Sequence, residues 1–353
     1  MSQGPAKTLR EHPVVQLTLM RIRELVREPG VLFWIFGFPI LISVGLGLAF
    51  RTRGPEPVSV GVLPGTPAEV TQALERGGAK VRALDAEAAR LELRAGKVAL
   101  VVVPPDHPGG PLGYRFDPAR AESRLARATV DDLLQRAAGR RDLRAVADQP
   151  VTERGARYID FLIPGLVGMN LMSGSMWGIG WVIVNLRVRK LLKRMLAAPM
   201  RRRHLLYAQA LARLLLIPVE VFVILLFARL AFDVRVAGSV VAVGVLCVVG
   251  ASSFAAIAIL VASRAQNNET VSGLMNLVMM PMFVLSGVFF SATHFPQAMQ
   301  PIINALPLTA LNDSLRAVIV DGAGLGATVK PLLVMAAWGV VSFAAGLRLF
   351  RWS

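Results

Sequence analysis

The sequence specifies an α-helical polytopic membrane protein: six transmembrane helices, with one small α/β extracytoplasmic domain inserted after the first. Three observations carry that reading. Six stretches are apolar over roughly 20 residues, the length a helix needs to cross a bilayer core. The chain is 54% hydrophobic and only 18% charged, with a mean hydropathy of +0.54, where a soluble domain carries about 25% charged residues. The net charge of +16 is concentrated, since Arg187–Arg203 holds eight basic and no acidic residues. An excess of this kind in one short loop is the positive-inside pattern of a membrane protein. It is not a nucleic-acid footprint, because no recognition motif or aromatic platform accompanies it.

The N-terminal segment, residues 1–30, is polar. Within it His12–Arg27 reads as an amphipathic helix, with Val14, Val15, Leu17, Leu19, Ile22, Leu25 and Val26 on an imperfect apolar face. Five basic residues precede the first apolar run, which places this end in the cytoplasm. Span 1 follows at residues 31–50, with Pro39 as an expected kink. It is longer than a signal-peptide core and no Ala-x-Ala follows, so it reads as uncleaved.

Residues 51–157 are a different material, with 18 basic and 14 acidic residues. Strands are expected at Val58–Leu63, Lys80–Leu84, Val98–Val103 and Gly113–Phe116. Helices are expected at Pro67–Arg76, Ala86–Arg94 and Pro118–Ala138. Alternation of this kind over about 105 residues suffices for one small α/β domain.

The chain re-enters the membrane at residues 158–184, where Gly165, Gly168, Gly174, Gly178 and Gly180 permit close helix packing. Spans 3 to 6 are expected at residues 205–230, 236–263, 271–290 and 331–350, and 158–351 form one transmembrane domain. Residues 291–330 are too polar and proline-broken to cross the membrane in one piece. Both termini then lie in the cytoplasm of a multi-pass cell (inner) membrane protein.

Between spans 2 and 3, residues 187–198 form a short basic amphipathic helix. Val188, Leu191, Leu192, Met195 and Leu196 recur at i, i+3, i+4, i+7 and i+8 as one apolar stripe. Arg187, Arg189, Lys190, Lys193 and Arg194 take the opposite face, and Pro199 ends the helix. Such a helix either lies on anionic headgroups or inserts its stripe into a soluble partner.

Catalytic chemistry finds little support. There is no phosphate-binding loop, since Gly96-Lys97 is followed by Val98, and the four histidines are scattered with no metal-ligand spacing. No cofactor or metal is expected on this chain. Cys247 is the one cysteine, which excludes an intrachain disulfide. Charges within spans are the better place to look. Glu220 lies near the middle of span 3, and Arg213 is seven residues earlier, on the same face and about 10 Å away along the axis. Glu220 either lines a pathway or is a buried charge satisfied by a neighbouring helix or headgroup water. Asp160 with Arg157 reads as an interfacial anchor. Asn276 and Pro281 in span 5 shape a cavity or serve helix–helix contact.

Three stretches resemble the type-2 permeases of ATP-binding-cassette exporters. The first, RKLLKRMLAAPMRRRHLLYAQALARL from Arg189, is similar to the family's cytoplasmic segment with its small-residue–proline pair, here Ala198-Pro199. It departs from the family in carrying Arg189 and Lys190 where an acidic residue is usual. The second, Met275–Ile319, resembles the family's most specific segment through Leu285-Ser286-Gly287, Phe289-Phe290, Pro296, Pro307-Leu308-Thr309, Asp313 and Arg316. The third, GKVALVVVPP from Gly96 with Phe116-Asp117-Pro118, resembles the large outer domain of one subgroup.

The resemblance implies a permease subunit that exports a hydrophobic or amphipathic substrate. It works as a dimer, expected to be a homodimer, with a separate cytoplasmic ATPase that holds the ATP and Mg. The helix of the first stretch would dock in the ATPase, and residues 291–330 would be an outer re-entrant segment. Glu220, Asn276, Ser286, Gly287, Phe289, Phe290, Asp313 and Arg316 are the translocation and gate candidates. A competing reading is a membrane-anchored sensor or assembly factor with a ligand-binding outer domain. A third is an ion-coupled carrier with Glu220 as its proton site.

Overall fold

In a computed structural model, the described residues are 13–50, 57–107, 110–141, 144, 147, 155, 157–190 and 202–349. The chain divides into two compact units, Thr52–Pro150 and the remainder on both sides of it.

The inserted unit is a three-layer α/β fold. Strands β1 (Ser59–Val62), β2 (Lys80–Ala83), β3 (Leu100–Val103) and β4 (Gly113–Arg115) stand in the order β2-β1-β3-β4. β1 pairs parallel with β2 and with β3, and β4 runs antiparallel to β3. Helices α3 (Ala68–Arg76) and α5 (Ala121–Ala137) cover one face through Leu74, Ala126 and Val130, which pack on Val60, Val62, Leu100 and Val102. Helix α4 (Ala86–Arg94) covers the other through Ala89, on Leu63, Val98 and Val101. Burial on both faces explains why β3 reads as an uninterrupted apolar run.

The larger unit is helical. Helix α1 (Pro13–Arg27) leads to α2 (Pro29–Ala49), α6 (Tyr158–Val188), α7 (Arg202–Phe232), α8 (Val240–Ala262), α9 (Asn268–Leu285), α10 (Gln300–Ala305), α11 (Pro307–Ile319) and α12 (Val329–Leu349). Among the described residues five helices are long and apolar enough to cross a membrane: α2, α6, α7 from Leu211, α8, and α12 with the short turn Leu325–Thr328 ahead of it. Burial separates them, with 72% of the α6 window buried inside the chain but 17% of those of α2 and α12. Helix α6 is therefore the axis of the bundle. Leu162, Ile163 and Leu166 from it and Phe254 from α8 are fully buried.

Two bounds expected from the sequence are corrected. Span 5 was expected to reach residue 290, but α9 stops at Leu285 and Gly287 takes a φ of +66°, a conformation open to glycine at little cost. The polar start Asn268-Glu269 makes this helix less apolar than those five. The basic helix was expected to begin at 187, but Arg187 and Val188 are the last residues of α6, and Lys190 turns the chain with a φ of +57°. Arg187 faces the polypeptide, donating to the carbonyls of Ala262, Ser263 and Ala265. It caps the carbonyl end of α8, where a cation is favoured. Leu191, Leu192, Lys193, Met195, Leu196 and Pro199 lie outside the described residues.

Residues 291–330 are two short 3-10 turns, α10, α11 and a further turn. Helix α11 is buried over ten of its thirteen residues, packed among α6, α8 and α12.

Candidate functional site

A cavity of about 800 Å³ opens within the helical unit, between α1, α2, α6, α7 and α9. Its wall on α6 runs from Met169 to Asn185, about 24 Å of helix, and continues to Arg189 just past the helix end. The composition changes along that length. Arg21, Glu24, Glu28 and Arg189 gather at the α1 end. Deeper in, the wall carries Trp34, Phe38, Trp177, Trp181, Phe283 and Phe289, interleaved with Asn170, Asn185, Gln209 and Asn276.

Two walls of this cavity are not α-helical. Phe33–Gly37 of α2 and Met176–Trp181 of α6 are π-helical segments, and each supplies residues to the lining: Trp34 and Ile35 from one, Trp177, Gly178, Ile179 and Trp181 from the other. The first closes with the Phe38 amide donating to the Phe33 carbonyl, immediately before Pro39. Proline withdraws an i→i−4 donor, so a wider turn beside it costs little. Pro39 was expected to kink the span. The distortion lies in the turn just before it. In α6 the segment is loosened at Gly178, which has open space around its α-carbon, and Gly180, where a Cβ would fall 2.1 Å from Met275 Cε. π segments recur at functional sites because they re-aim side chains without ending the helix.

Arg213 forms one patch of the wall. Its Nη1 donates to Glu220 Oε1 at 2.5 Å, its Nε to Ser175 Oγ at 3.3 Å and its Nη2 to the Leu171 carbonyl at 3.3 Å. The guanidinium lies across Gly174, where a Cβ would stand 2.6 Å from Nη2. So Glu220 is a buried charge satisfied mainly from its own helix, by Arg213. It is 1% exposed, is absent from the cavity lining, and its Oε2 has no partner among the described residues.

The other expected site residues fall into two groups. Asn276 and Phe289 line the cavity, and Asn276 makes no side-chain hydrogen bond among the described residues. Ser286, Gly287, Asp313 and Arg316 meet at a junction instead. Asn312 Nδ2 donates to the Ser286 carbonyl at 2.8 Å, and Arg316 donates to the carbonyls of Gly287 and Phe161. Arg316 also pairs with Asp313 at 3.1 Å and stacks 3.9 Å over the Phe161 ring. Tyr158 Oη donates to the Phe289 carbonyl at 2.9 Å. The chain after α9 is thereby tied to α6 and α11, while Phe290 beside it is half exposed. Asp160 accepts from Arg157 Nε and Nη2 at 2.9 and 2.7 Å, and Arg157 Nη1 reaches the Phe232 carbonyl. That pair joins the start of α6 to the end of α7.

The junction gives a testable expectation. Arg316→Lys keeps the charge but loses the planar fork and the stack. Losing one charge-assisted hydrogen bond costs about 2 kcal/mol, so amide exchange over Ser286–Phe290 should rise roughly 30-fold. Unchanged protection there would show that the junction is held by other contacts.

Sequence reasoning passed over Asn170, Asn312 and the tryptophans of the wall, and took Gly174 only as a packing glycine. A lone asparagine inside an apolar run is a weak signal, yet Asn170 is 6% exposed and its Nδ2 has no partner among the described residues.

A bundle of apolar helices around an elongated, amphipathic cavity defines a membrane transport protein. A family model described as ABC-2 family transporter protein matches residues 29–348, and the chain belongs to that family, with a permease-type transport role. Comparison with curated proteins finds no match.

Proposed function

We propose that this chain is the membrane subunit of an ATP-binding-cassette exporter, moving a hydrophobic or amphipathic substrate outward with ATP hydrolysed on a separate subunit. The observation that carries the reading is the cavity, whose charged end lies beside α1 and Arg189. The density of basic residues around that end, Arg187–Arg203 above all, makes it cytoplasmic by the charge rule. A substrate entering there meets an aromatic and amide wall leading toward Phe283 and Phe289. In this orientation both termini are cytoplasmic, α9 is the fifth of six spans, and the Thr52–Pro150 unit lies outside the membrane on the far side. Residues 291–330 would then close the outer end, and two copies would face each other across spans 2 and 5. Leu191, Leu192, Met195 and Leu196, beyond the turn at Lys190, would seat in the ATPase, with Lys193 on the polar side.

The test is co-purification of the detergent-solubilised chain with candidate ATP-binding-cassette ATPases, comparing wild type with Leu192→Glu. The expected result is an ATPase retained by wild type and lost at least tenfold by the variant, since a buried carboxylate without a partner costs several kcal/mol. Retention by both would move the contact elsewhere. Retention by neither would overturn the exporter reading.

A further inference from the structure

The turn that joins α7 to α8 holds three charged side chains that neither the cavity nor the junction uses. Asp233 follows the last residue of α7 with a φ of +54°, a conformation that glycine takes at least cost. Aspartate and asparagine are among the few other residues that adopt it, and here the carboxylate is used. Asp233 Oδ1 accepts from Arg229 Nη1, one turn back on α7, and from Arg235 Nε at 3.4 Å. The side chains of Arg229, Asp233 and Arg235 are nonetheless 44%, 59% and 50% exposed. Asp233 Oδ2 and both Nη groups of Arg235 take part in no hydrogen bond among the described residues.

The backbone beneath these groups is held. Val234 is 6% exposed, and its N–H donates to the Ala228 carbonyl at 3.2 Å. The amides of Ala237 and Gly238 donate to the carbonyls of Ile319 and Val318, at the end of α11, at 2.9 and 3.0 Å. A Cβ on Gly238 would fall 2.5 Å from that Val318 oxygen. Donors and acceptor are thus presented from a fixed frame, which leaves a ligand little ordering to impose.

The surface leading to the turn says what covers it. Leu215, Val219, Phe222, Leu226 and Leu230 are exposed, and their spacing of i, i+4, i+7, i+11 and i+15 makes one apolar stripe along α7. The stripe is about 22 Å long, more than the roughly 15 Å of one leaflet's hydrocarbon. Arg229 and Asp233, three and seven residues beyond Leu226, continue the same face. The next helix, α8, opens with exposed Val240 and Val241. Apolar side chains left uncovered on membrane helices face acyl chains, so the three charges stand where that surface gives way to headgroups. A lipid, rather than a soluble anion, fits both parts.

The groups presented select the headgroup. Two guanidiniums suit a phosphate, with the planar fork of Arg235 open to it. Asp233 Oδ2 stands beside them as an acceptor, and the ammonium of phosphoethanolamine has three N–H groups to give, as a lysine ammonium does. Choline would offer that oxygen only methyl groups, and a glycerol headgroup has no cation for it. We infer that Arg229, Asp233 and Arg235 bind the phosphoethanolamine headgroup of a phospholipid whose acyl chain lies along the α7 stripe. None of the three lines the cavity, and the inference stands apart from the exporter reading.

Native mass spectrometry of the purified full chain in dodecyl maltoside micelles reads this site. The probes are dioleoyl phosphatidylethanolamine, phosphatidylcholine and phosphatidylglycerol. The wild type is expected to hold the ethanolamine lipid about tenfold more tightly than either of the others, the worth of one charge-assisted hydrogen bond. Arg235→Gln should weaken the ethanolamine lipid by about tenfold on the same ground. Asp233→Asn keeps a residue that accepts the left-handed backbone and an oxygen for the arginines, but removes the carboxylate. It should erase the preference for ethanolamine over choline. Soluble O-phosphoethanolamine at millimolar concentration, which has no acyl chain, should displace nothing.

Equal retention of the three lipids by the wild type would overturn the inference, and so would tighter binding of phosphatidylglycerol. An intact ethanolamine preference in monodisperse Asp233→Asn would overturn it whether or not Arg235→Gln folds. Displacement by O-phosphoethanolamine would assign the three charges to a soluble ligand and remove the lipid from the site.

Discussion

Glu220→Ala is expected to cost about 3–5 kcal/mol of stability, and Arg213→Ala a similar amount, because either change leaves one buried charge without its partner. The pair is well isolated from solvent, with side-chain exposures of 9% for Arg213 and 1% for Glu220. Its attraction is therefore unscreened, and so is the penalty for breaking it. The diagnostic variant is the double one. Arg213→Leu with Glu220→Leu removes both charges and leaves apolar bulk, so most of the loss should return, as it does when buried pairs are replaced whole. Reversible unfolding of the wild type, the two single leucine variants and the double leucine variant in mixed micelles gives the coupling directly. If the double variant were as unstable as the worse single one, the pair would not be the unit described.

Gly165→Val is expected to cost about 3 kcal/mol, the upper end of ordinary overpacking. A Cβ at Gly165 would sit 2.6 Å from the Val288 carbonyl oxygen and 3.1 Å from its α-carbon. The obstacle is backbone, in the segment that Arg316 and Asn312 already hold. Rotamer change cannot relieve it, so α6 and the chain after α9 would have to part. The matched control is Gly244→Ala in α8, where nothing lies within 4 Å. There the helix should gain a few tenths of a kcal/mol or more from the lost backbone freedom. Thermal loss of the monodisperse species measures both. A Gly165→Val protein as stable as Gly244→Ala would mean that this approach is not close in the membrane.

Much of the fold could be read from residue order, and the reasons are physical. Hydropathy marked the helices because a lipid-facing or bundle-facing helix has to be apolar over its whole length. The strands at 59–62 and 100–103 stood out through runs of valine and leucine. Arg213 and Glu220 were visible as a same-face pair, seven residues apart. What closes the pair was not visible, because Gly174, Ser175 and the Leu171 carbonyl come from another helix. Asn276 was singled out and does line the cavity. Ser286, Gly287, Asp313 and Arg316 were picked as translocation and gate candidates, and in the structure they meet where the chain after α9 packs on α6 and α11. Their motif records a close approach of backbone and side chain, which is recognisable as a pattern without stating what it packs against. The π segments had no sequence period to announce them, since FWIFG and MWGIGW fit an apolar helix equally well.

Those two segments have a consequence for how the chain can change length. A π turn holds one residue more than the α turn it replaces. Deleting a residue from Phe33–Gly37 or from Met176–Trp181 would therefore convert the turn to plain α-helix and leave both flanks facing nearly as they do now. The same deletion in α8, which is α-helical throughout, would rotate everything beyond it by about 100° and turn its buried face to lipid. A one-residue deletion should thus be absorbed within the membrane at the two places where it reshapes the cavity wall, so this pocket can be retuned by a register step as well as by exchanging side chains.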